Sequence, residues 1–252
     1  MKKGLFLMSA AVLLNLAVGT AQVFAAEEGG TMPTNGTVNF IPGEDPTDPT
    51  DPTDPGNPID PIDPPTPVGG SLSIDYASRF KFGAQKISSK DETYYAALDK
   101  FKGTDGTEVE DNNFVQVTDK RGNLAGWNLS VKQEGQFVTA ENQELTGAQI
   151  KIAKASLIAA VNDDSLDAYK PSTVANSITL TPDQAASAVD AEAGKGVGTW
   201  VYRFGDDNEA GKTAIELFVP GKTVKLAKEY TTKLNWELSN VPSNPGTPSE
   251  PV

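Results

Sequence analysis

The clearest alternation in the chain runs near its C-terminal end. Tyr230, Thr232, Leu234, Trp236 and Leu238 alternate there with Thr231, Lys233, Asn235, Glu237 and Ser239. Side chains change face at every residue of a strand, so this predicts an aromatic-aliphatic row turned inward and a polar row turned outward. Pro242 ends the pattern, because proline cannot donate to a ladder. About a hundred residues earlier, Gly126-Trp127-Asn128-Leu129-Ser130-Val131 alternates in the same way, with Trp127, Leu129 and Val131 on one face. Two Trp-x-Leu strands thus account for two of the three tryptophans.

Other short alternations fill the space around them. Leu72, Ile74 and Tyr76 form one, continued after a break by Phe80 and Phe82. Val115 and Val117 form another, and Arg121-Gly122-Asn123 then supplies a turn into the Trp127 strand. Phe137, the stretch from Leu145 to Ile152, and Ile178 with Leu180 mark further short strands. Val197 to Phe204 is a strong run, with Trp200, Tyr202 and Phe204 on one face. Ile215, Leu217 and Val219 alternate and stop at Pro220-Gly221, and Val224-Lys225-Leu226 reads as a bulged start to the final strand. Tyr94 to Phe101 reads as one or two helical turns. Thr181-Pro182-Asp183-Gln184 resembles a helix start, but the Ala-rich run over 183–193 has no good apolar face and stays open between helix, strand and loop. Many short strands with polar turns predict an all-β antiparallel sandwich.

The flanks differ. Lys2, Lys3, an apolar run from Leu5 to Val18 and the small-residue site Val23-Phe24-Ala25 predict a signal peptide over 1–25, cut after Ala25 or, second, after Ala26. The run is too short for a comfortable membrane anchor, and no membrane span is expected after cleavage. Residues 26–68 read as a Pro/Asp-rich disordered spacer. Within it, Asp45-Pro46-Thr47 opens a strict triplet in which proline recurs at every third position from 46 to 64. Polyproline II has three residues per turn and ~3.1 Å rise, so 45–67 would form a stiff rod of roughly 70 Å. Residues 243–252 read as a disordered tail, leaving 69–242 as the β domain. Eleven of the 18 prolines lie between 33 and 67, and only Pro171, Pro182 and Pro220 fall inside the domain.

Composition narrows the chemistry. The chain has no Cys and no His, which removes disulfides, thiol and Ser-His-Asp catalysis and the usual zinc sites. Net charge is −13, and the domain alone carries 24 acids against 19 bases. That argues against nucleic acid, whose capture rests on phosphate neutralisation. Gly211-Lys212-Thr213 and Gly221-Lys222-Thr223 end like phosphate loops, but Asp206 and Glu216 stand where the first glycine is required. Asp206-Asp207-Asn208-Glu209 is an acidic patch between two strands that reads as a solvated hairpin tip rather than a calcium loop. No catalytic residue, metal ligand or cofactor is assigned. A carboxylate-pair wall hydrolase ranks last, because no spacing singles out one pair.

The Trp127-Asn128-Leu129 and Trp236-Glu237-Leu238 motifs, with Ser71 to Tyr76 and Gly198 to Gly205, resemble the WxL-domain surface proteins of Gram-positive bacteria over roughly Gly69 to Pro242. The resemblance implies an exported protein, held non-covalently on the cell wall by binding peptidoglycan. Action alongside other surface proteins of the same family cluster is implied as well, and host surface molecules stand as an open partner class. A surface-complex subunit or adhesin component held by protein contacts is the alternative. Trp127, Leu129, Trp236 and Leu238 are the first candidates for ligand contact, since indole faces stack on sugars. The favoured reading of an inward Trp is core, with binding then placed on other residues.

Overall fold

The computed structural model describes residues 31–66, 69–103, 106–161 and 164–242. The expected signal peptide, the disordered tail and the Pro67–Val68 end of the spacer lie outside the described residues. By internal contacts the chain divides into residues 1–39 and 40–252. In the first unit, described residues 31–39 carry no regular element. All elements among the described residues belong to the second.

Along the second unit run β1 (Asp60–Pro61), β2 (Leu72–Ala77), β3 (Glu92–Tyr95), β4 (Asp99–Lys102), β5 (Glu108–Asp111), β6 (Phe114–Asp119) and β7 (Trp127–Val138). Then come β8 (Gln149–Ile152), β9 (Ala155–Ala159), a 3-10 turn over Asp164–Tyr169, β10 (Thr173–Val174), β11 (Ile178–Thr179) and β12 (Ala185–Ala191). The last are β13 (Gly198–Phe204), the single-turn helix α1 (Asn208–Gly211), β14 (Ile215–Val219) and β15 (Thr231–Ser239). The fold is all-β and antiparallel, as the alternations require. The strands pair into four small sheets, ordered β1-β4-β5, β10-β12-β7-β15, β11-β8-β14-β3 and β2-β6-β13-β9, where the sequence pointed to a sandwich.

One apolar core joins the three four-stranded sheets. Trp127, Leu129 and Val131 from β7, Val115 and Val117 from β6, Trp200, Tyr202 and Phe204 from β13, and Ile215, Leu217 and Val219 from β14 all face it. Several local expectations change. Tyr94–Phe101 holds the ends of β3 and β4 rather than helical turns, because Thr93, Tyr94 and Tyr95 find ladder partners on β14. The open Ala-rich run becomes β12. Its small side chains admit bulk opposite: Ala191 stands across from Trp127, and Ala186 from Val131. Asp206–Glu209 is not a hairpin tip, since β13 and β14 lie in different sheets. Asp207 instead caps α1, its Oδ1 accepting from Ala210 N at 2.7 Å.

The largest departure is the Asp-Pro-Thr segment. It does not run off as a rod but lies across β6 and β13. Polyproline geometry leaves its carbonyls without internal partners. They are claimed instead by Gln116 (Asp48 O, 3.0 Å), Arg203 (Pro52 O, 3.1 Å) and Lys120 (Asp45 O). Thr50 is buried, its N–H donating to Gln116 Oε1 at 2.9 Å. Asp60 and Asp63 meet Lys102 and Arg79, so positive charge offsets the carboxylate repulsion that would keep a rod open. Ile59 packs on a second apolar cluster of Tyr76, Phe101, Phe114, Ala160 and Val201. The sheet β2-β6-β13-β9 is therefore covered on both faces, and all six residues of β6 are buried.

Candidate functional site

The two Trp-x-Leu motifs sit side by side. β15 pairs antiparallel with β7, placing Leu238 across from Leu129, Trp236 across from Val131 and Ser239 across from Asn128. Their environments differ because β7 is interior to its sheet and β15 is an edge.

Trp127 and Leu129 have no exposed surface. The Trp127 indole donates to Gly196 O at 2.9 Å, so its only polar atom is satisfied inside the protein. These two residues are core, which corrects their candidacy for ligand contact: a fully enclosed ring offers no face to a sugar. Trp200 is also core, donating to Val197 O at 3.0 Å.

Trp236 and Leu238 are half-buried. The Trp236 ring stacks on Phe204 at 6.3 Å and 20°, and meets Tyr202 near edge-on at 6.5 Å. Phe80 reaches the same Phe204 edge-on at 5.8 Å. Tyr230 and Leu234 on the β15 side, and Phe80 and Phe82 from the segment after β2, are likewise half-buried against the core. Together they form a half-open aromatic-aliphatic seam along the edge strand. Tyr230 and Leu234 are not among the sequence candidates, although they share the even-position row with Trp236 that could have found them. Phe80 and Phe82 carried only their alternation.

The other face of β15 is polar. Glu237 stands across from Ser130, Asn235 from Lys132 and Lys233 from Glu134. Lys233 Nζ lies 3.2 Å from Glu134. The Asn235 amide and Lys233 hold the Glu134 carboxylate below the ordinary range. β15 thus presents a partly open apolar row, a hydrogen-bonding row and an unpaired strand edge.

A second polar centre lies where the Asp-Pro-Thr segment meets β5. Asp51 and Asp111 are hydrogen-bonded to each other, and Thr53 Oγ1 bridges both, at 3.0 and 2.9 Å. Burial, then the Asp51 hydrogen bond and charge, push Asp111 up to about 7. Burial raises Asp51 too, but hydrogen bonds from Asp111, Asp54 and Thr53 hold it below the ordinary value. Nearby Asp75 is raised by burial, against donors from Thr118, Ser73 and Gln116. Among the described residues no group of three or more acidic side chains is arranged to hold a metal ion.

A family model described as the WxL domain, surface cell wall-binding, matches residues 27–242. The chain belongs to the WxL family. The match takes in the Asp-Pro-Thr segment as well as both motifs, in keeping with the segment's place on the WxL domain. A WxL domain marks a cell-surface protein that binds the cell wall, and β7 with β15 is where its two signature motifs pair. No curated protein and no solved structure matches the chain. Among the described residues no helix is long and apolar enough to cross a membrane.

Proposed function

We propose that this WxL protein is exported by its leader and held non-covalently on peptidoglycan through the half-open seam of β15, with Trp236 and Leu238 as contacts and no catalytic role. The family match over residues 27–242 carries the reading. Trp236 supplies an aromatic face already ordered by Phe204, so little side-chain freedom is lost on binding. The polar row from Lys233 to Glu237 supplies donors and acceptors for sugar hydroxyls and amides. The surplus of acids over bases makes Coulombic capture by an anionic wall a poor source of affinity.

Co-sedimentation of the chain without its leader with purified sacculi, stripped of protein and polyanions, tests this. Pelleting that persists into high salt is the expected result. Retention on intact cells only, with none on sacculi, contradicts it. One observation favours a second reading, a subunit of a surface assembly: β15 is an edge strand, and a partner's strand can add to such an edge.

A further inference from the structure

The outer face of the sheet β2-β6-β13-β9 has an unusual make-up for a buried surface. Gln116 and Thr118 from β6, Ser73 and Asp75 from β2, and Thr199 and Arg203 from β13 form a hydrogen-bonding floor. That floor is closed over by residues 43–63. The Gln116 amide behaves like a peptide unit of a neighbouring strand: it accepts from Thr50 N at 2.9 Å and donates to Asp48 O at 3.0 Å. Arg203 reaches Pro52 O at 3.1 Å, and Gly43 N donates to Lys120 O at 3.2 Å. These anchors fall on main-chain atoms, so they recognise the path of an extended segment.

The covering segment also holds its own shape. Asp51 N donates to Asn57 O at 2.8 Å and Ile59 N to Pro49 O at 3.0 Å, so it is a narrow hairpin tied to itself. It precedes every strand of the three core sheets, so it can leave the face without threading through them. A hollow of about 410 Å³ remains beside it, lined by Thr47, Thr50, Pro58, Ala160, Leu166 and Thr199. From Asp63 to Leu72 the chain reaches ~30 Å when extended, enough to carry the hairpin off its own sheet.

We propose that this face is a receptor for the Asp-Pro-Thr hairpin and that neighbouring copies exchange hairpins, one copy's Gly43–Asp63 seating on the sheet of the next. Without a hairpin, Gln116 loses its Thr50 and Asp48 partners and the apolar cluster of Tyr76, Phe114 and Val201 loses the cover of Ile59 to water, so a hairpin is favoured on every face. Its source is not specified, because every copy offers the same contacts in the same geometry. The difference is effective concentration, which is of order millimolar for a segment on a short linker. Copies dispersed in solution keep their own hairpin. Copies crowded side by side at comparable local concentration trade it, and a run of trades links them into a chain.

The cysteine-free sequence allows a direct test. A Cβ built on Gly43 would lie 3.6 Å from Lys120 Cβ, within the span of a disulfide. A full-length chain with both Gly43→Cys and Lys120→Cys reports the seat itself. Two singly substituted chains with tags of different size report exchange. They are mixed at about 10 µM and about 1 mM, on either side of the expected effective concentration, and then oxidised. Gly43→Cys mixed with Lys222→Cys, away from the face, measures random collision. We expect the double variant to close its disulfide within one chain. The Gly43→Cys/Lys120→Cys mixed dimer should rise at least tenfold over the control at the higher concentration. Mixed dimer at the control level at both concentrations overturns the exchange. Failure of the double variant to close overturns the seat on which it depends.

Discussion

Leu129 on β7 stands directly across the ladder from Leu238 on β15. That one pairing brings together two motifs separated by about a hundred residues. It makes them a structural unit rather than two independent binding elements. The unit is asymmetric: the β7 copy is enclosed and the β15 copy is half open. On the proposed reading, the enclosed motif serves folding and the half-open one recognition.

Removing the enclosed ring should act through stability alone. Trp127→Ala deletes a fully buried indole and is expected to cost about 3–5 kcal/mol. Chemical denaturation should show that loss. Wall binding per folded molecule, measured below the shifted midpoint, should match the wild type.

Gly196 permits the Trp127 position. Its φ is +81°, and an added Cβ would meet Trp127 Nε1 and lie 2.6 Å from Ala191 Cβ. Gly196→Ala should therefore lower the melting temperature about as severely as Trp127→Ala, although it adds only a methyl group. A change within a degree or two would show that the loop gives way and the indole is not held as described.

Gln116 should control how tightly the Asp-Pro-Thr hairpin sits. Gln116→Ala leaves Thr50 N–H and Asp48 C=O unpaired, a penalty of about 1–3 kcal/mol concentrated at the hairpin. Hydrogen exchange at Thr50 should speed up roughly 10–100-fold, while amides of β7 and β13 hold. Uniform acceleration across the domain would mean that the hairpin is part of one cooperative unit.

Asp111 gives stability a pH dependence with a definite sign. Its folded value, about 7, lies above that of the unfolded chain. The folded protein thus keeps a proton that the unfolded chain releases from about pH 4 upward. Stability from this group is full below that range, falls as pH rises through about 7 and then levels off. Asp75, also raised by burial, acts in the same direction. Asp111→Asn can donate to Asp51 without titrating. Melting curves between about pH 4 and 8 should fall by several degrees more for the wild type than for the variant. Parallel curves would contradict the shared proton.

The strand rows were readable from the sequence because alternation is local. Tyr230 to Leu238 and Trp200 to Phe204 needed only their own neighbours. The partnership of β7 with β15 was not, since register is set by contacts a hundred residues apart. β12 was hidden because alanines show no apolar face, and their function is to be small opposite Trp127 and Val131. The hairpin is hidden in the sequence for a chemical reason. Repeated Asp-Pro-Thr predicts an open helix when considered alone, but the segment folds back on itself through Asp51 N to Asn57 O and Ile59 N to Pro49 O, and Gln116, Arg203 and Lys120 claim the carbonyls of Asp48, Pro52 and Asp45. Alternation alone would turn Gln116, between Val115 and Val117, outward, yet it is fully buried. At the candidate site, Trp236 and Leu238 could be named from sequence. Their difference from Trp127 and Leu129 follows from edge and interior positions, which a linear pattern does not encode.

The most direct measurement compares wild type and Trp236→Ala, both as residues 26–252, in co-sedimentation with stripped sacculi across a salt series, with melting curves on the same samples. Trp236 is half-buried on an edge strand, so its removal should cost only about 1–2 kcal/mol and leave the domain folded. The predicted result is a folded variant whose pelleting falls at least tenfold at every salt concentration. A folded variant that pellets like the wild type would contradict wall contact through the β15 seam.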